Sequence, residues 1–371
     1  MSKKLAIIGA SYLQLPLVLK AKELGVETHC FAWEQGAVCK DYCDYFYPIS
    51  VIEKEAILEE CKRIGIDGIT TIASDLPMPT IAYVSERLNL VSNPYEVSLN
   101  ATNKGLMRNC FKNAGVPIPK FMNVNTKDET LSKELNYPVI VKPKDRSGSR
   151  GVTRVNHKTA LEAAIKVALE SSLVKEAIVE EFIEGQEVSV ETISWKGKHY
   201  LLTITDKITS GAPNFVELEH HEPSNQNEKI QEKIREITID SLNALGIKNG
   251  AGHTEVKIDC DGNVFVIEVG ARMGGDFIGS HLVELSTGYD YVKGVIDVAL
   301  NNLISPKLTK KQYAGVYFLC KQTEALMPYF NQKNDFEVAK ELQDEDLKTA
   351  LSSNDRSGYL IYRADKKIKL I

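Results

Sequence analysis

Short apolar runs alternate with helical periodicities through the first hundred residues. Residues 5–9 form a brief apolar run ending in Gly9-Ala10-Ser11, and residues 15–24 repeat apolar positions at helical spacing. The pattern then predicts a strand at 26–33, a helix at 53–64, a strand at 68–73 and a helix at 78–88. Leu90-Val91 leads into an Asn93-Pro94 stop. This βαβαβ order implies a parallel sheet with right-handed crossovers. Ligands in such sheets sit at the carboxyl ends of strands, here Gly9-Ala10-Ser11 and Ala73-Ser74-Asp75.

Beyond residue 100 strands and helices no longer alternate simply. A helix at 103–114 is closed by Gly115 and Pro117. A strand at 139–142 enters a loop ending at Gly151, and a helix follows at 158–171. Residues 177–193 and 199–205 read as strands, 209–227 as a long polar loop, 228–245 as a helix, 252–267 as a hairpin and 289–301 as a helix. Short strands at 314–319 and 358–363 complete the chain. The expected class is α/β followed by α+β, divided as residues 1–100, 101–305 and a small C-terminal α+β piece at 306–371.

Composition narrows the function classes. The chain has 371 residues, 43% hydrophobic and 26% charged, with 45 basic against 50 acidic side chains. A net charge of −5 disfavours a general nucleic-acid or anionic-membrane binder. No apolar run approaches the roughly 18 residues of a membrane span. The start reads as a first strand rather than a signal peptide, so a cytoplasmic location is expected. Seven scattered cysteines without a Cys-x-x-Cys read as reduced structural thiols; Cys39 and Cys43 lack the further ligands of a zinc site. The segment from Gly9 to Gln14 lacks the later glycines of Gly-x-Gly-x-x-Gly, which argues against NAD.

The segment from His253 to Glu268 carries the most chemistry. Asp261-Gly262 between two β-rich runs predicts a two-residue hairpin turn. Val256 then pairs with Ile267 and Ile258 with Phe265, and Glu255 falls opposite Glu268. Like charges so placed destabilise a sheet. A protonated carboxyl, a bridging cation, or screening by Lys257 and Arg272 would each compensate; the bland alternative is a solvated hairpin with two exposed glutamates. A longer turn would shift the register. After Glu268 the chain runs Val269-Gly270-Ala271-Arg272-Met273-Gly274-Gly275, three glycines around an arginine suited to carboxylate or phosphate. Mg²⁺ held by two carboxylates and shared with phosphates fits this arrangement.

Upstream, Lys142 ends an apolar strand before Ser147-Gly148-Ser149-Arg150-Gly151, small residues able to wrap phosphate oxygens without forming a P-loop. The competing reading places Lys142 at an edge, reaching solvent past Pro143. Four glutamates crowd the connector around Phe182-Ile183, where exposed carboxylates are ordinarily only solubilising.

Taken in order, these features resemble the ATP-grasp superfamily, most closely its amino-acid ligase and carbamoyl-phosphate-synthetase-like branch. The motifs are Asn103-Lys104 opening a helix, Val141-Lys142-Pro143 with its loop, the run Glu180-Glu181-Phe182-Ile183-Glu184-Gly185-Gln186-Glu187, Glu255, and Glu268 through Arg272. The resemblance implies an N-terminal βαβ domain before a two-lobed nucleotide clamp, and it implies roles. Lys104 and Lys142 would contact ATP phosphates, with Ser147, Gly148, Ser149 and Gly151 in the closing loop. Glu180, Glu181, Phe182 and Ile183 would hold the adenine edge and Glu187 the ribose. Glu255 and Glu268 would hold Mg²⁺, with Mn²⁺ as a substitute, and Arg272 would steady the reacting carboxylate. Many members carry Asn where this chain has Gly270, which puts completion of a second metal site in doubt.

The implied reaction is ADP-forming ligation of a small-molecule carboxylate to an amine through an acyl phosphate, with amino acids as substrates. Alternatives are a purine-biosynthesis or biotin-carboxylase-like ligase, and a nucleotide-binding regulator without turnover. The loop at 206–223 is expected to wall the acceptor pocket, with His221 either serving the amine or lying at the surface. His253 either lines the hairpin site or packs. The resemblance also makes a homodimer plausible.

Overall fold

A computed structural model of the chain describes residues 2–124, 135–146, 148 and 150–371. The N-terminal elements are β1 (Lys4–Ile8), α1 (Leu15–Glu23), β2 (Glu27–Phe31), β3 (Tyr45–Tyr47), α2 (Lys54–Ile64), β4 (Gly68–Thr70) and α3 (Met78–Leu88). The four strands form a parallel sheet in the order β3-β2-β1-β4. Helices α4 (Tyr95–Thr102) and α5 (Lys104–Ala114) lead out of it. The Asn103 side chain opens α5 by accepting from the backbone N–H groups of Gly105 and Leu106, and Gly115 closes it in the left-handed conformation.

A small antiparallel sheet follows, built from β5 (Phe121–Val124), β6 (Val139–Pro143), β7 (Thr153–Val155) and β8 (Ala177–Glu181) in the order β5-β8-β6-β7. Helix α6 (Leu161–Ser171) covers one face through Leu161, Ala164 and Ala168. The chain then enters a larger sheet through β9 (Gln186–Trp195), β10 (Lys198–Thr209) and β11 (Glu217–Glu222), followed by α7 (Glu228–Leu245), β12 (Gly250–Ile258) and β13 (Val264–Gly270). Helices α8 (Val283–Thr287) and α9 (Tyr291–Ala299) precede β14 (Tyr313–Leu319), β15 (Glu337–Leu342) and β16 (Gly358–Ala364). All its neighbours pair antiparallel, in the order β13-β12-β9-β10-β11-β14-β16-β15. The strands after residue 312 therefore continue the same sheet as the acidic hairpin.

The expected polar loop at 209–227 contains β11, which the sequence reading did not predict. Its run Glu-Leu-Glu-His-His-Glu has no apolar alternation, yet the strand is buried between β10 and β14. The expected strand region at 177–193 is likewise broken, at residues 182–185, into strands belonging to two different sheets.

One apolar core joins the N-terminal sheet to the larger one. Leu5, Ile7, Leu17 and Ile72 pack in a cluster with Ile193, Met273, Val292, Val295 and Ile296. Burial of this size and continuity fixes the carboxyl ends of β1 and β4 against the segment after β13. The backbone N–H of Ala73 bonds to the Met273 carbonyl at 3.2 Å, at that junction. Among the described residues no helix is long and apolar enough to cross a membrane.

Candidate active site

The acidic hairpin reaches the expected opposition by a different route. Glu255 pairs with Glu268, but Val256 pairs with Val266 and Ile258 with Val264. The turn is longer than two residues, running from 259 to 263. There the Asp259 carboxylate accepts from the backbone N–H groups of Asp261 and Asn263 at 2.9 and 2.8 Å. A longer turn alone would have displaced the glutamates; a β-bulge between Glu255 and Val256 absorbs the extra residue and restores them.

Each of the two carboxylates has a lysine partner. Lys207 Nζ lies 2.7 Å from Glu255 Oε1, 2.9 Å from Glu187 Oε1 and 3.6 Å from Glu217 Oε1. Lys104 Nζ lies 2.7 Å from Glu268 Oε1. Burial works against ionisation of Glu255, but Lys207 and His253 outweigh it and hold the carboxyl well below its usual range. Lys207 stays charged although its side chain is only 3% exposed, because three carboxylates surround it.

Lys104 sits in the first turn of α5, where a cation opposes the helix dipole. Its placement is fixed by partners across the fold: Glu268, and the Arg146 carbonyl at 3.0 Å. One turn later Arg108 is wholly buried and donates through Nε to Glu180 Oε1 at 2.5 Å and through Nη2 to the Ile267 carbonyl at 2.6 Å. Glu180 also pairs with Lys142 at 2.6 Å. Lys142 is thus not an edge lysine reaching solvent. Burial pulls its ammonium below the usual lysine range, with Glu180 opposing. Glu180 itself is held down to about 2, since Arg108 and Lys142 together outweigh its desolvation. Arg108 is a site residue that the sequence reading missed. The available signal was its spacing of four from Lys104 on the buried face of α5.

Apart from Arg108, these groups line a single cleft that is open to solvent. Lys104, Lys142, Arg146 and Gly148 line one part, and Glu255, Glu268 and Arg272 another. Ile140, Val152, Phe182, Ile183 and Phe215 supply apolar wall. Glu187 lines it too, while Glu181 Oε1 accepts from the backbone and side chain of Asn136, both at 2.9 Å. The Phe182 N–H is already spent on the Pro138 carbonyl at 2.9 Å. Gly148 and Gly151 both take positive φ, +67° and +72°. Ser147 and Ser149 lie outside the described residues.

Arg272 makes a two-point pair with Asp75 in the loop between β4 and α3, with Nε to Oδ1 at 2.9 Å and Nη2 to Oδ2 at 2.7 Å. His253 both lines the cleft and packs: Nδ1 bonds Glu191, and Nε2 is 3.4 Å from Glu255 Oε1. Burial opposes its charge, but Glu191 holds the imidazolium, raised to about 9. Glu191 in turn accepts the Gly274 N–H at 3.0 Å. His221 neither lies at the surface nor lines the cleft. It is buried, with Nδ1 2.9 Å from the Tyr362 hydroxyl and Nε2 2.7 Å from Glu219.

The donor set suits a hard cation shared with phosphate. Two opposed carboxylates face one cleft, and among the described residues no group of three or more His, Cys, Asp or Glu is placed as a metal cage. That is the protein share normally offered to Mg²⁺, which completes its shell with phosphate and water.

Comparison with known proteins agrees with this geometry. An ATP-grasp domain model matches residues 135–280. The alanine–anticapsin ligase of Bacillus subtilis strain 168 is 29% identical over 245 residues, covering 60% of this chain and 51% of that protein. The chain spans about half the length of such curated relatives. The crystal structure of an L-amino acid ligase from Bacillus licheniformis superposes with a TM-score of 0.80 at 24% identity, covering 98% of this chain and 94% of the other. N5-carboxyaminoimidazole synthetase from Staphylococcus aureus, complexed with ADP, gives 0.79 at 16% identity, covering 99% and 95%. Residues 135–280 of the chain thus match an ATP-grasp domain, and the chain as a whole shares the fold of these enzymes.

Proposed function

We propose that the chain is an ADP-forming carboxylate–amine ligase of the amino-acid ligase branch, using Mg²⁺ and ATP. The observation that carries this reading is the opposition of Glu255 and Glu268 in one cleft with Lys104, Lys142 and Arg272. The similarity to the alanine–anticapsin and L-amino acid ligases supports amino-acid substrates.

In this reading Lys104 exchanges Glu268 for a phosphate oxygen when nucleotide enters, and frees the carboxylate for metal. Lys142 remains anchored to Glu180 while its ammonium contacts phosphate. Bound Mg²⁺ would be held by Glu255 and Glu268 and would offset charge on the phosphates. A substrate carboxylate oxygen attacks the γ-phosphorus and ADP departs, leaving an acyl phosphate. The amine then attacks the acyl carbon, phosphate leaves and the amine proton is lost. Arg272 fixes the carboxylate, so catalysis is chiefly positioning and electrostatics. The apolar walls and the glycine-containing loop keep water from the acyl phosphate.

Coupled ADP release, measured over panels of amino acids as donors and acceptors, tests the reading. Substrate-dependent ADP and phosphate are expected, and Glu268→Gln should lower kcat by about a hundredfold or more while keeping the fold. Near-normal turnover in that variant would refute the metal assignment. Absence of substrate-dependent ADP across both panels would refute the ligase.

A further inference from the structure

Three of the seven cysteines converge beneath one connector of the N-terminal sheet. Cys30 lies in β2, in register with Ile7 of β1 and Phe46 of β3, and is fully buried. The chain leaves β2, runs through residues 32–44 and returns to enter β3 beside it. A single 3-10 turn in that connector, Val38–Asp41, brings Cys39 back to the sheet. The Cys39 N–H donates to the Ala10 carbonyl at 2.9 Å and its thiol to the Ser11 carbonyl at 3.3 Å. The Cys43 N–H then donates to the Cys39 carbonyl at 2.9 Å. Cys43 thereby packs against the core cluster that holds both Cys30 and Cys39, with its own side chain half-buried.

The Cys30 and Cys43 thiols are hydrogen-bond partners, and that contact is the largest influence on each. Cys30 keeps its proton and is held well above the ordinary thiol range, while Cys43 is lowered. Lys22 adds to the lowering and Asp44 opposes it. The Lys22 ammonium is fixed there by the Tyr42 carbonyl at 2.9 Å and Asp44 Oδ1 at 3.1 Å. Cys39 is pushed up to about 12 by burial, and its proton is spent on the Ser11 carbonyl. The contact therefore joins a partly exposed, more acidic thiol to a buried, protonated one, the division of labour of an attacking and a resolving cysteine. The other four are placed differently. Cys61, Cys110 and Cys320 sit in three other core clusters, and Cys260 is exposed in the turn of the acidic hairpin.

We propose that Cys30 and Cys43 form a reversible thiol–disulfide pair, in which Cys43 reacts with a hydroperoxide and Cys30 resolves the product. The Cys43 thiolate attacks one peroxide oxygen and the O–O bond breaks. Cys43 becomes a sulfenic acid, and water leaves once the departing oxygen takes up the proton that Cys43 gave up. The Cys30 sulfur then attacks the Cys43 sulfur. An S–S bond forms, the S–O bond breaks, and a second water carries away the Cys30 proton. The two thiols lose two electrons, which reduce hydrogen peroxide to two waters. A dithiol restores the pair by exchange. The bond ties β2 to the end of the connector whose Cys39 holds the Ala10–Ser11 turn. The site is independent of the ligase reading, since no cysteine is among the described residues lining the nucleotide cleft.

Peptide mapping by mass spectrometry tests the pair on the full chain, after brief exposure to hydrogen peroxide and alkylation of the remaining thiols in denaturant. Cys260→Ser serves as the parent protein, because it removes the exposed thiol that would link one chain to another. A cross-linked peptide joining Cys30 to Cys43 is expected, and dithiothreitol should abolish it. Cys43→Ser should lose the cross-link and leave Cys30 as a free thiol. Cys30→Ser should leave Cys43 as a sulfenic acid, captured by dimedone about tenfold more than in the parent. A second measurement needs no change at Cys30 or Cys43: dimedone present during oxidation of the parent should accumulate on Cys43 at the expense of the cross-link. A bond joining Cys39 to Cys43 overturns the assignment of Cys30. Cys30 still fully alkylated after oxidation of the parent, or dimedone capture at Cys43 that leaves the cross-link undiminished, overturns the proposal.

Discussion

Asp75 and Arg272 are joined by a two-point ion pair across 197 residues of sequence, at 2.9 and 2.7 Å. The carboxylate comes from the loop between β4 and α3 and the guanidinium from the segment leaving the acidic hairpin. In the proposed reaction Arg272 steadies the substrate carboxylate, so Asp75 is its positioning residue. Asp75→Asn keeps the shape and removes one charge. We expect kcat to fall about 10- to 100-fold through misplacement of Arg272, with KM for ATP little changed. A rise in KM for ATP at constant kcat would show that Arg272 serves the nucleotide instead.

The same pair accounts for the glycine at position 270. A Cβ at that position would lie 2.9 Å from Asp75 Oδ1 and 3.0 Å from Arg272 Cζ. Glycine leaves the room the pair occupies. Gly270→Asn should therefore fold, because the obstructing atoms are ends of flexible side chains, but should lose activity to about the extent of Asp75→Asn. The double variant Gly270→Asn/Asp75→Asn should be no worse than either single change, since both act on one contact. Additive losses in kcat would separate Gly270 from the pair.

Some of this was legible in the chain and some was not, for identifiable reasons. The opposition of Glu255 and Glu268 was readable from an Asp-Gly turn signal, yet the turn is longer and a bulge compensates. Hydrophobic alternation does not report an unpaired bulge residue. Strand β11 was invisible because its buried polar groups find partners far away in sequence: His221 with Tyr362, and Glu222 with Thr205 and Ser286. Lys104, Lys142, Glu180 and Glu268 were all found as motif positions, whereas the pairing of each lysine with its carboxylate emerges only from the fold. The Asp75–Arg272 and Asp276–Arg356 pairs join elements that no local pattern relates.

Lys207 neutralises Glu187, Glu217 and Glu255 from a buried position. Removing one member of such a cluster leaves uncompensated buried charge. Lys207→Met is expected to destabilise the fold by about 3–5 kcal/mol in metal-free buffer, measured by urea unfolding. Adding Mg²⁺ should recover part of the loss in this variant and less in the wild type, because the cation binds the folded carboxylates in place of the ammonium. A Mg²⁺ response identical in the two proteins would place the metal away from Glu255.

Glu222 gives the fold a pH dependence of unusual sign. It is buried, and desolvation raises its carboxyl to about 8, although the Thr205 and Ser286 hydroxyls, at 2.9 and 2.8 Å, favour the ionised form. In the unfolded chain the group ionises near its ordinary value of 4.5. Between these values the folded state keeps a proton that the unfolded state has released, so this contribution is complete below 4.5 and is lost as pH rises through about 8. His220 works in the opposite sense. Burial lowers it from 6.5 to about 3, so its contribution is present above 6.5 and lost as pH falls toward 3. Glu222→Gln isolates the first effect. Its urea midpoint should gain on that of the wild type as pH is raised from 5 to 8.5, with the acid-side decline governed by His220 retained in both proteins. A constant difference across that range would mean that Glu222 is already ionised in the folded chain.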